Sequence, residues 1–308
     1  MRFLVFLMLL SVFTGCDEQT VAAVSDQKDE IVVNTKCSAG SFSPDGEKIA
    51  WSAEKFKGLY SKDLSSGKVT DISTENMAGW KFSWAPDSSG IAFRERLENG
   101  KFTIMKRELE KDSNELVSEF SETVAPPIWK DSIYSVNTLR SSNISLAKKP
   151  VLNLKTPVRK LKFNAFTSSN RVSVINLSTG KIQNLPEGTH SPALSPDNSN
   201  LLFVEKNSIK GMNFNNGSIT TIAQGSSPSW SGNSKIVFNQ TIDDGRNITF
   251  SAVKLYDIKS QKISDISVES GRIPLFPSLS FDGNKLLYTD GVTGKLLIHN
   301  LTEKGRTL

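Results

Sequence analysis

The stretch "SFSPDGEKIAW", residues Ser41–Trp51, contains a Pro-Asp-Gly turn between two short apolar runs. Proline presets φ near about −65° at the second position of a type I turn, and the Asp and Gly that follow tolerate the conformations that close a hairpin. The stretch therefore predicts two antiparallel strands joined by a tight turn.

This hairpin is one copy of a repeat. Three other copies are close: Trp84–Asp87 with Ile91–Phe93, Leu194–Asp197 with Leu201–Phe203, and Leu279–Gly283 with Leu286–Tyr288. Two degenerate copies begin at Trp129 and Trp230. The chain therefore presents the same hairpin six times.

A second hairpin follows most copies, for example Leu59–Leu64 before "SSGKVTDI". Four strands per unit follow from the two hairpins. The matching positions 43, 85, 130, 195, 231 and 280 are separated by 42, 45, 65, 36 and 49 residues. A period of about 45 residues with four short strands is typical of a propeller blade. The sequence predicts an all-β fold, a six-bladed β-propeller of four-stranded blades.

The N-terminal segment predicts an export signal. Arg2 precedes the apolar stretch Phe3–Phe13, and the small residues Thr14 and Gly15 follow, in the order of a secretory signal peptide. The apolar stretch is too short to span a bilayer comfortably. Residues 1–15 are therefore interpreted as a signal peptide.

The residue after this segment is Cys16, and "FTGC" resembles the lipobox of bacterial lipoproteins. The resemblance implies that Cys16 becomes the acylated N-terminus, with palmitate-type chains. Asp17 resembles the inner-membrane retention signal of enterobacterial lipoproteins, which favours the periplasmic side of the inner membrane over the outer membrane. Residues 16–30 are polar and small, and are read as a tether. An ordinary signal peptide with an incidental cysteine is the alternative.

The repeats resemble those of the TolB-type, WD-like propeller family, whose hallmark "SPDG" followed by "xxIAF" stands here as Ser43–Gly46 with Ile49–Trp51. The resemblance covers about residues 31–308. It implies a propeller and protein partners in the cell envelope. TolB proteins carry a further α/β domain before the propeller, which this chain is expected to lack. Ring closure predicts that Ile31–Asn34 lies beside the last blade.

Catalytic and metal-binding motifs are not expected. The sequence has no Gly-x-Ser-x-Gly elbow, and its two histidines, His190 and His299, have no acidic residue at a recognisable spacing. Cys37 is predicted to be a buried thiol, and we expect no catalytic residues, no metal and no cofactor. The recurring aspartates are assigned to the turns, and the tryptophan column to packing between blades: Asp45, Asp87, Asp197 and Asp282; Trp84, Trp129 and Trp230.

One segment departs from the repeat. Between Asp131 and Glu187 there is no acidic residue but there are nine basic ones, and Asn137–Thr167 lengthens the third repeat as a predicted insertion. The candidate partner-binding residues are Arg140, Lys148, Lys149, Lys155, Arg159, Lys160 and Lys162. A basic loop attracts an acidic protein, an anionic lipid or an anionic glycan. The alternative is a solvated loop without a partner, and nucleic acid is not expected.

These features together predict a lipid-anchored, extracytoplasmic propeller that acts as a non-catalytic protein-binding or scaffold module of the bacterial envelope. The alternative is an enzyme or binding protein that acts on a small ligand or glycan at the mouth of the central channel. Acidic or histidine side chains converging there would favour the enzyme, whereas an uncharged lining would favour the scaffold.

Overall fold

The structure, a computed structural model, describes residues 24–25, 28–120, 125–136, 146–150 and 161–301. Most of these residues lie in short β-strands, and one 3-10 turn is found at Glu54–Phe56. Two strands precede the first blade, β1 (Val24–Ser25) and β2 (Glu30–Val33).

Blades one and two follow the predicted four-strand plan. Blade one contains β3 (Cys37–Phe42), β4 (Lys48–Ala53), β5 (Lys57–Asp63) and β6 (Val69–Asn76). Blade two contains β7 (Ser83–Trp84), β8 (Gly90–Arg96), β9 (Phe102–Glu108) and β10 (Asn114–Phe120). Within each blade, consecutive strands pair antiparallel, and one bridge between Asn76 and Arg96 joins the two sheets.

Blades three and four have three strands each among the described residues. Blade three contains β11 (Ile128–Trp129), β12 (Ser132–Val136) and β13 (Leu146–Pro150). Blade four contains β14 (Phe163–Ser168), β15 (Arg171–Asn176) and β16 (Ile182–Glu187).

The last three blades are four-stranded antiparallel sheets. Blade five contains β17 (His190–Leu194), β18 (Asn200–Glu205), β19 (Ser208–Asn213) and β20 (Ile219–Gln224). Blade six contains β21 (Ser226–Ser231), β22 (Lys235–Asp243), β23 (Ile248–Asp257) and β24 (Lys262–Ile266). After β25 (Val268–Glu269), blade seven contains β26 (Pro274–Leu279), β27 (Lys285–Asp290) and β28 (Leu296–Asn300).

The fourth strand of blade seven comes from the other end of the chain. β2 pairs antiparallel with β28, so the predicted position of Ile31 beside the last blade is confirmed. Val32 and Val33 are buried in a cluster that joins blade seven to blade one. The chain therefore closes the ring by combining strands from both ends in one sheet. β1 adds a parallel pair with β25 at the edge between blades six and seven.

The hydrophobic core is divided among the interfaces between neighbouring blades. Each blade lies between two others, so its second strand is buried on both faces, as in the runs Ile49–Ser52, Leu201–Val204 and Leu286–Asp290. Trp84 donates its indole N–H to Ser41 Oγ of the preceding blade over 3.2 Å, and Trp230 donates to the Ala193 carbonyl over 2.9 Å. These contacts confirm the predicted packing role of the tryptophan column.

The recurring aspartates stabilise the turns, as predicted. The hydroxyl of the repeat's serine donates to the aspartate two residues later at 2.5 Å for Ser43 and Asp45, and at 2.5 Å for Ser280 and Asp282. The Ser280 hydroxyl and the Asn284 backbone amide hold the pKa of Asp282 below its usual range. The carboxylate replaces backbone partners that the tight turn leaves unsatisfied.

Two sequence-based expectations are corrected. The described strands group into seven blade units rather than six, with blades one and two joined in one eight-stranded sheet, because the 65-residue interval from 130 to 195 holds blade four as well as part of blade three. Phe163–Ser168 therefore belongs to a blade, not to an inserted loop. The folded body also begins before residue 31, since Val24–Ser25 pairs with β25.

Candidate functional site

The inner segment of each blade lies nearest the axis of the ring, where neighbouring inner strands contact one another. Four of these segments carry a non-glycine residue with positive φ at one shared position, four residues before the first residue of the turn: Lys81 (51°), Ser191 (54°), Ser227 (51°) and Phe276 (53°). This conformation costs about 1–3 kcal/mol and persists where the surroundings impose it. In β17, β21 and β26 it coincides with a bulge, which redirects a side chain.

A cavity of about 440 Å³ lies among the inner segments of blades two to five. Its size is within the range of small-molecule pockets, about 300–1,000 Å³. Much of its wall is apolar and rigid, formed by aromatic rings and prolines: Trp80, Phe82, Phe166, Pro126, Pro127 and Pro192.

Three cations, Lys81, Arg94 and Lys130, line this cavity, and its lining has no Asp, Glu or His among the described residues. We call Lys81, Arg94 and Lys130 the cationic triad. Neither acid–base pairs nor an uncharged lining is found there. The arrangement instead offers positive charge inside a concave apolar wall, which raises the local concentration of anions.

The pKa values of all three members of the cationic triad are lowered in this environment. Desolvation by the surrounding protein, followed by the charge of Arg94, lowers the pKa of Lys81 to about 8. Lys81 is nevertheless accessible to solvent, which is the combination expected of a group inside a water-filled cavity. Desolvation lowers the pKa of Arg94 to about 10, and it also lowers the pKa of Lys130, where the charge of Asp197 opposes the shift.

Strand alternation explains how Arg94 reaches the cavity. Arg94 and Glu95 are adjacent in β8, and successive side chains point to opposite faces of a sheet. The Arg94 guanidinium lies 5.6 Å from the ring centre of Trp80 and 5.5 Å from that of Phe102. Glu95 instead accepts a 2.8 Å hydrogen bond from Ser73 at the interface with blade one. The two opposite charges are thus held apart.

A second buried polar cluster lies where the ring closes. The Asp29 side chain is fully buried, its Oδ1 lies 2.5 Å from Nδ1 of His299, and its Oδ2 accepts the hydroxyl of Tyr288. Burial, and then the hydrogen bond to Asp29, raises the pKa of Tyr288 well above its usual range, so this hydroxyl remains a donor. We call Asp29, Tyr288 and His299 the closure cluster, because Asp29 directly precedes β2.

Several predicted residues lie outside the described residues: Cys16, Asp17, Arg140, Lys155, Arg159 and Lys160. Lys148 and Lys149 are in β13, where only the backbone pairing with β12 is described. Lys162 is exposed, and its backbone N–H donates to Asn198 Oδ1 over 2.9 Å. The structure therefore does not bring the predicted basic residues into one described surface.

The histidine and cysteine predictions have different outcomes. His190 is exposed and its Nδ1 lies 3.0 Å from Ser191 Oγ. His299 is buried within blade seven and has an acidic partner 270 residues away, which no local spacing reveals. Cys37 is buried and free, and burial raises the pKa of its thiol to about 12.

The cationic triad was not predicted from the sequence. A signal existed for Lys130, because it occupies the column that holds Ser43, Ser195, Ser231 and Ser280 in other repeats. A lysine cannot accept the hydrogen bond that the serine hydroxyl accepts from the backbone amide five residues later, as Ser43 does from Lys48 and Ser280 does from Lys285. Lys81 and Arg94 have no such signal, since their approach to one another depends on the fold.

No group of three or more His, Cys, Asp or Glu side chains among the described residues is placed to hold a metal ion. Across the same residues, no helix has the length and hydrophobicity needed to cross a bilayer.

Solved structures with the same ring architecture are similar to this chain. A chain of a mitotic checkpoint complex matches with a TM-score of 0.61 at 15% identity, covering 98% of this chain and 99% of that one. TolB from Acinetobacter baumannii matches with a TM-score of 0.50 at 14% identity, covering 74% of this chain and 53% of TolB. The fold is a β-propeller. These identities establish the fold alone, and the match spans about half of the length of TolB.

An oligogalacturonate lyase in complex with manganese is also similar, with a TM-score of 0.46 at 13% identity over 86% of this chain and 77% of the lyase. No protein-family model matches the sequence, and no curated protein matches it.

Proposed function

We propose that this protein is a lipid-anchored, extracytoplasmic β-propeller that acts as a non-catalytic binding or scaffold module of the bacterial cell envelope. The main observation in support of this proposal is that the N-terminal strands are part of the ring. β1 pairs with β25 and β2 with β28, so the chain joins the body at the edge between blades six and seven. An anchor ahead of β1 would therefore hold that edge near the membrane.

The reach of such an anchor is short. Eight residues lead from Cys16 to Val24, which is at most about 28 Å of extended chain. Acylation contributes about 0.8 kcal/mol for each buried methylene, and two chains are enough for stable attachment. The ring would then stand at the bilayer surface, on the periplasmic side of the inner membrane if Asp17 acts as a retention signal.

The proposed partner is an envelope protein that carries negative charge. The supporting feature is the absence of acidic residues between Asp131 and Glu187, which leaves nine basic residues in that interval. Opposite charges at an interface mainly accelerate and orient association, and they are screened by salt. An anionic lipid or glycan would be attracted by the same charges.

The alternative, action on a small ligand at the channel, has one observation in its favour, the cavity among blades two to five. Its described lining supplies cations rather than paired carboxylates or histidines, so it favours binding of an anion over acid–base chemistry.

Metabolic labelling with palmitate tests the anchor. The wild-type chain should take up label and sediment with membranes, whereas Cys16→Ser should lose the label and appear in the soluble fraction. The matched control is Cys37→Ser, which should keep the label because Cys37 is buried in the body. Label that persists in Cys16→Ser would refute the lipid anchor.

Crosslinking in native membranes tests the partner. Captured proteins from wild-type cells should be lost when Lys148, Lys149, Arg159, Lys160 and Lys162 are changed to Gln, and retained when the exposed Lys259 is changed to Gln. The loss should be reproduced by raising the salt concentration. A stably folded multiple variant that captures the same proteins at every salt concentration would refute this surface.

A further inference from the structure

We propose that the cavity lined by the cationic triad is a binding site for a small organic anion that carries two or more negative charges and an aromatic or apolar part. The inference goes beyond the scaffold function, which requires nothing of the channel interior.

The cavity gathers positive charge that lacks a matching negative charge in its described lining. Lys81 and Arg94 are close enough for the charge of one to disfavour that of the other, and Lys130 lines the same cavity. Keeping like charges together inside a protein is unfavourable, and the cost is offset when an anion lies between them. Neither lysine forms a salt bridge with any described carboxylate, and only Lys130 feels a nearby negative charge, that of Asp197, so positive charge remains available to a ligand.

The backbone is the second argument. Lys81 is held at φ 51°, in the left-handed region that a residue with a Cβ rarely adopts. The equivalent residues in blades five and six are Ser191 and Ser227, with the same backbone conformation. This backbone conformation is thus part of the scaffold, and in blade two the residue that adopts it is Lys81, which lines the cavity. Strained backbone of this kind is concentrated at ligand sites.

Shape and chemistry define the ligand. The wall beside the cations is formed by Trp80, Phe82 and Phe166, which provide flat apolar surfaces for a ring. The Arg94 guanidinium is already positioned by the rings of Trp80 and Phe102, and so loses little freedom when it binds. An aryl or alkyl phosphate, or an aromatic polycarboxylate, has an anionic group for the cationic triad and an apolar part for the wall.

Phenyl phosphate is the probe that tests the site. Phenol is the control that keeps the ring without the charge, and inorganic phosphate is the control that keeps the charge without the ring. Titration calorimetry on the full-length chain should show binding of phenyl phosphate, weaker binding of inorganic phosphate and none of phenol. Lys81→Met and Lys130→Met should each lower the affinity for phenyl phosphate by about tenfold, equivalent to about 1.4 kcal/mol. Lys259→Met, on the outer hairpin of blade six, should bind like wild type.

Arg94 is left unchanged in this test because it is buried and contacts two rings, so its loss would disturb packing. Circular dichroism should show that both lysine variants are folded. The proposal is overturned if folded wild-type protein gives no heat with millimolar phenyl phosphate, or if the Lys81 and Lys130 variants bind as tightly as wild type. Competition by phosphatidylglycerol vesicles would also overturn it, because a bilayer cannot enter a cavity at the axis.

Discussion

The closure cluster and the cationic triad are both groups of polar side chains within the propeller, but they differ in burial and in how their charges are matched. In the closure cluster, the fully buried carboxylate of Asp29 contacts a histidine ring and a tyrosine hydroxyl. Nearby, Arg272 contacts Glu269 at 2.8 Å and Asp290 at 3.4 Å. In the cavity, three cations share a wall that has no described carboxylate.

The difference separates structure from binding. A polar group that is buried with its partners gives specificity to one arrangement of the chain, here the docking of β2 on blade seven. Groups of one sign that are gathered in a water-accessible cavity are unfavourable until something of the opposite sign joins them. Burial separates the two cases only in part, because Arg94 is buried like the closure cluster whereas Lys81 is exposed, but the balance of charge distinguishes them.

The largest expected effect follows from breaking the matched cluster. Asp29→Ala leaves His299 and Tyr288 buried without their acceptor and loosens β2, so we expect a loss of about 3–5 kcal/mol in the free energy of unfolding. Urea denaturation measures it. Asp71→Ala, at an exposed position of β6, is the control and should change stability by less than about 0.5 kcal/mol. Equal midpoints for Asp29→Ala and wild type would contradict the role of the cluster.

The next largest effect is expected in the pH dependence of phenyl phosphate binding in the cavity. The pKa of Lys81 in the free protein is lowered to about 8, so its charge is present below that pH and disappears as the pH rises through it. Arg94 and Lys130 face the same cavity and have lowered pKa values as well. We expect phenyl phosphate affinity to fall by about tenfold between about pH 7 and about pH 9.5. Calorimetry at both values checks it, and a flat profile would mean that Lys81 does not contact the anion.

The comparison also shows which parts of the molecule a sequence can reveal. The Pro-Asp-Gly turns identified the propeller because each hairpin is encoded locally. Blade four was missed because its β14–β15 hairpin turns at Ser169 and Asn170, both with positive φ, and so lacks the marker. Such a two-residue turn is a different solution to the same geometric problem.

Both polar clusters depend on distant residues, which limits prediction from the sequence. Asp29 and His299 are 270 residues apart and meet only because the ring closes. Lys81 precedes β7 and Arg94 lies in β8 of blade two, whereas Lys130 lies between β11 and β12 of blade three. Of these, only Lys130 departs visibly from a repeat column. Local patterns therefore encode the scaffold, whereas the charge balance at its axis emerges from the assembled ring.

A smaller effect on stability is expected for Lys81→Met, which should stabilise the fold whereas Asp29→Ala should destabilise it. Because the folded-state pKa of Lys81 lies below the ordinary value of 10.5, the folded protein binds fewer protons than the unfolded chain between about pH 8 and about 10.5, and stability rises with pH there. Lys81→Met removes the unfavourable charge. Its melting temperature should exceed that of wild type modestly at about pH 7, with a smaller gain at about pH 9.5, since solvent screens part of the effect. A lower melting temperature at both pH values would mean that the ammonium group stabilises the fold.

The smallest effect is expected at Lys162, which carries the same charge as Lys81 and is likewise exposed, but lies at the start of blade four and does not line the cavity. Its backbone amide, not its side chain, holds the neighbouring turn through Asn198, and Lys162→Gln keeps that hydrogen bond. We expect less than about 0.5 kcal/mol change in the free energy of unfolding at any pH. Phenyl phosphate binding should also be unchanged, because the side chain does not line the cavity. Thermal melts and calorimetry beside Lys81→Met check both expectations. If Lys162→Gln matched Lys81→Met in either measurement, net charge rather than position in the ring would govern the behaviour of both lysines.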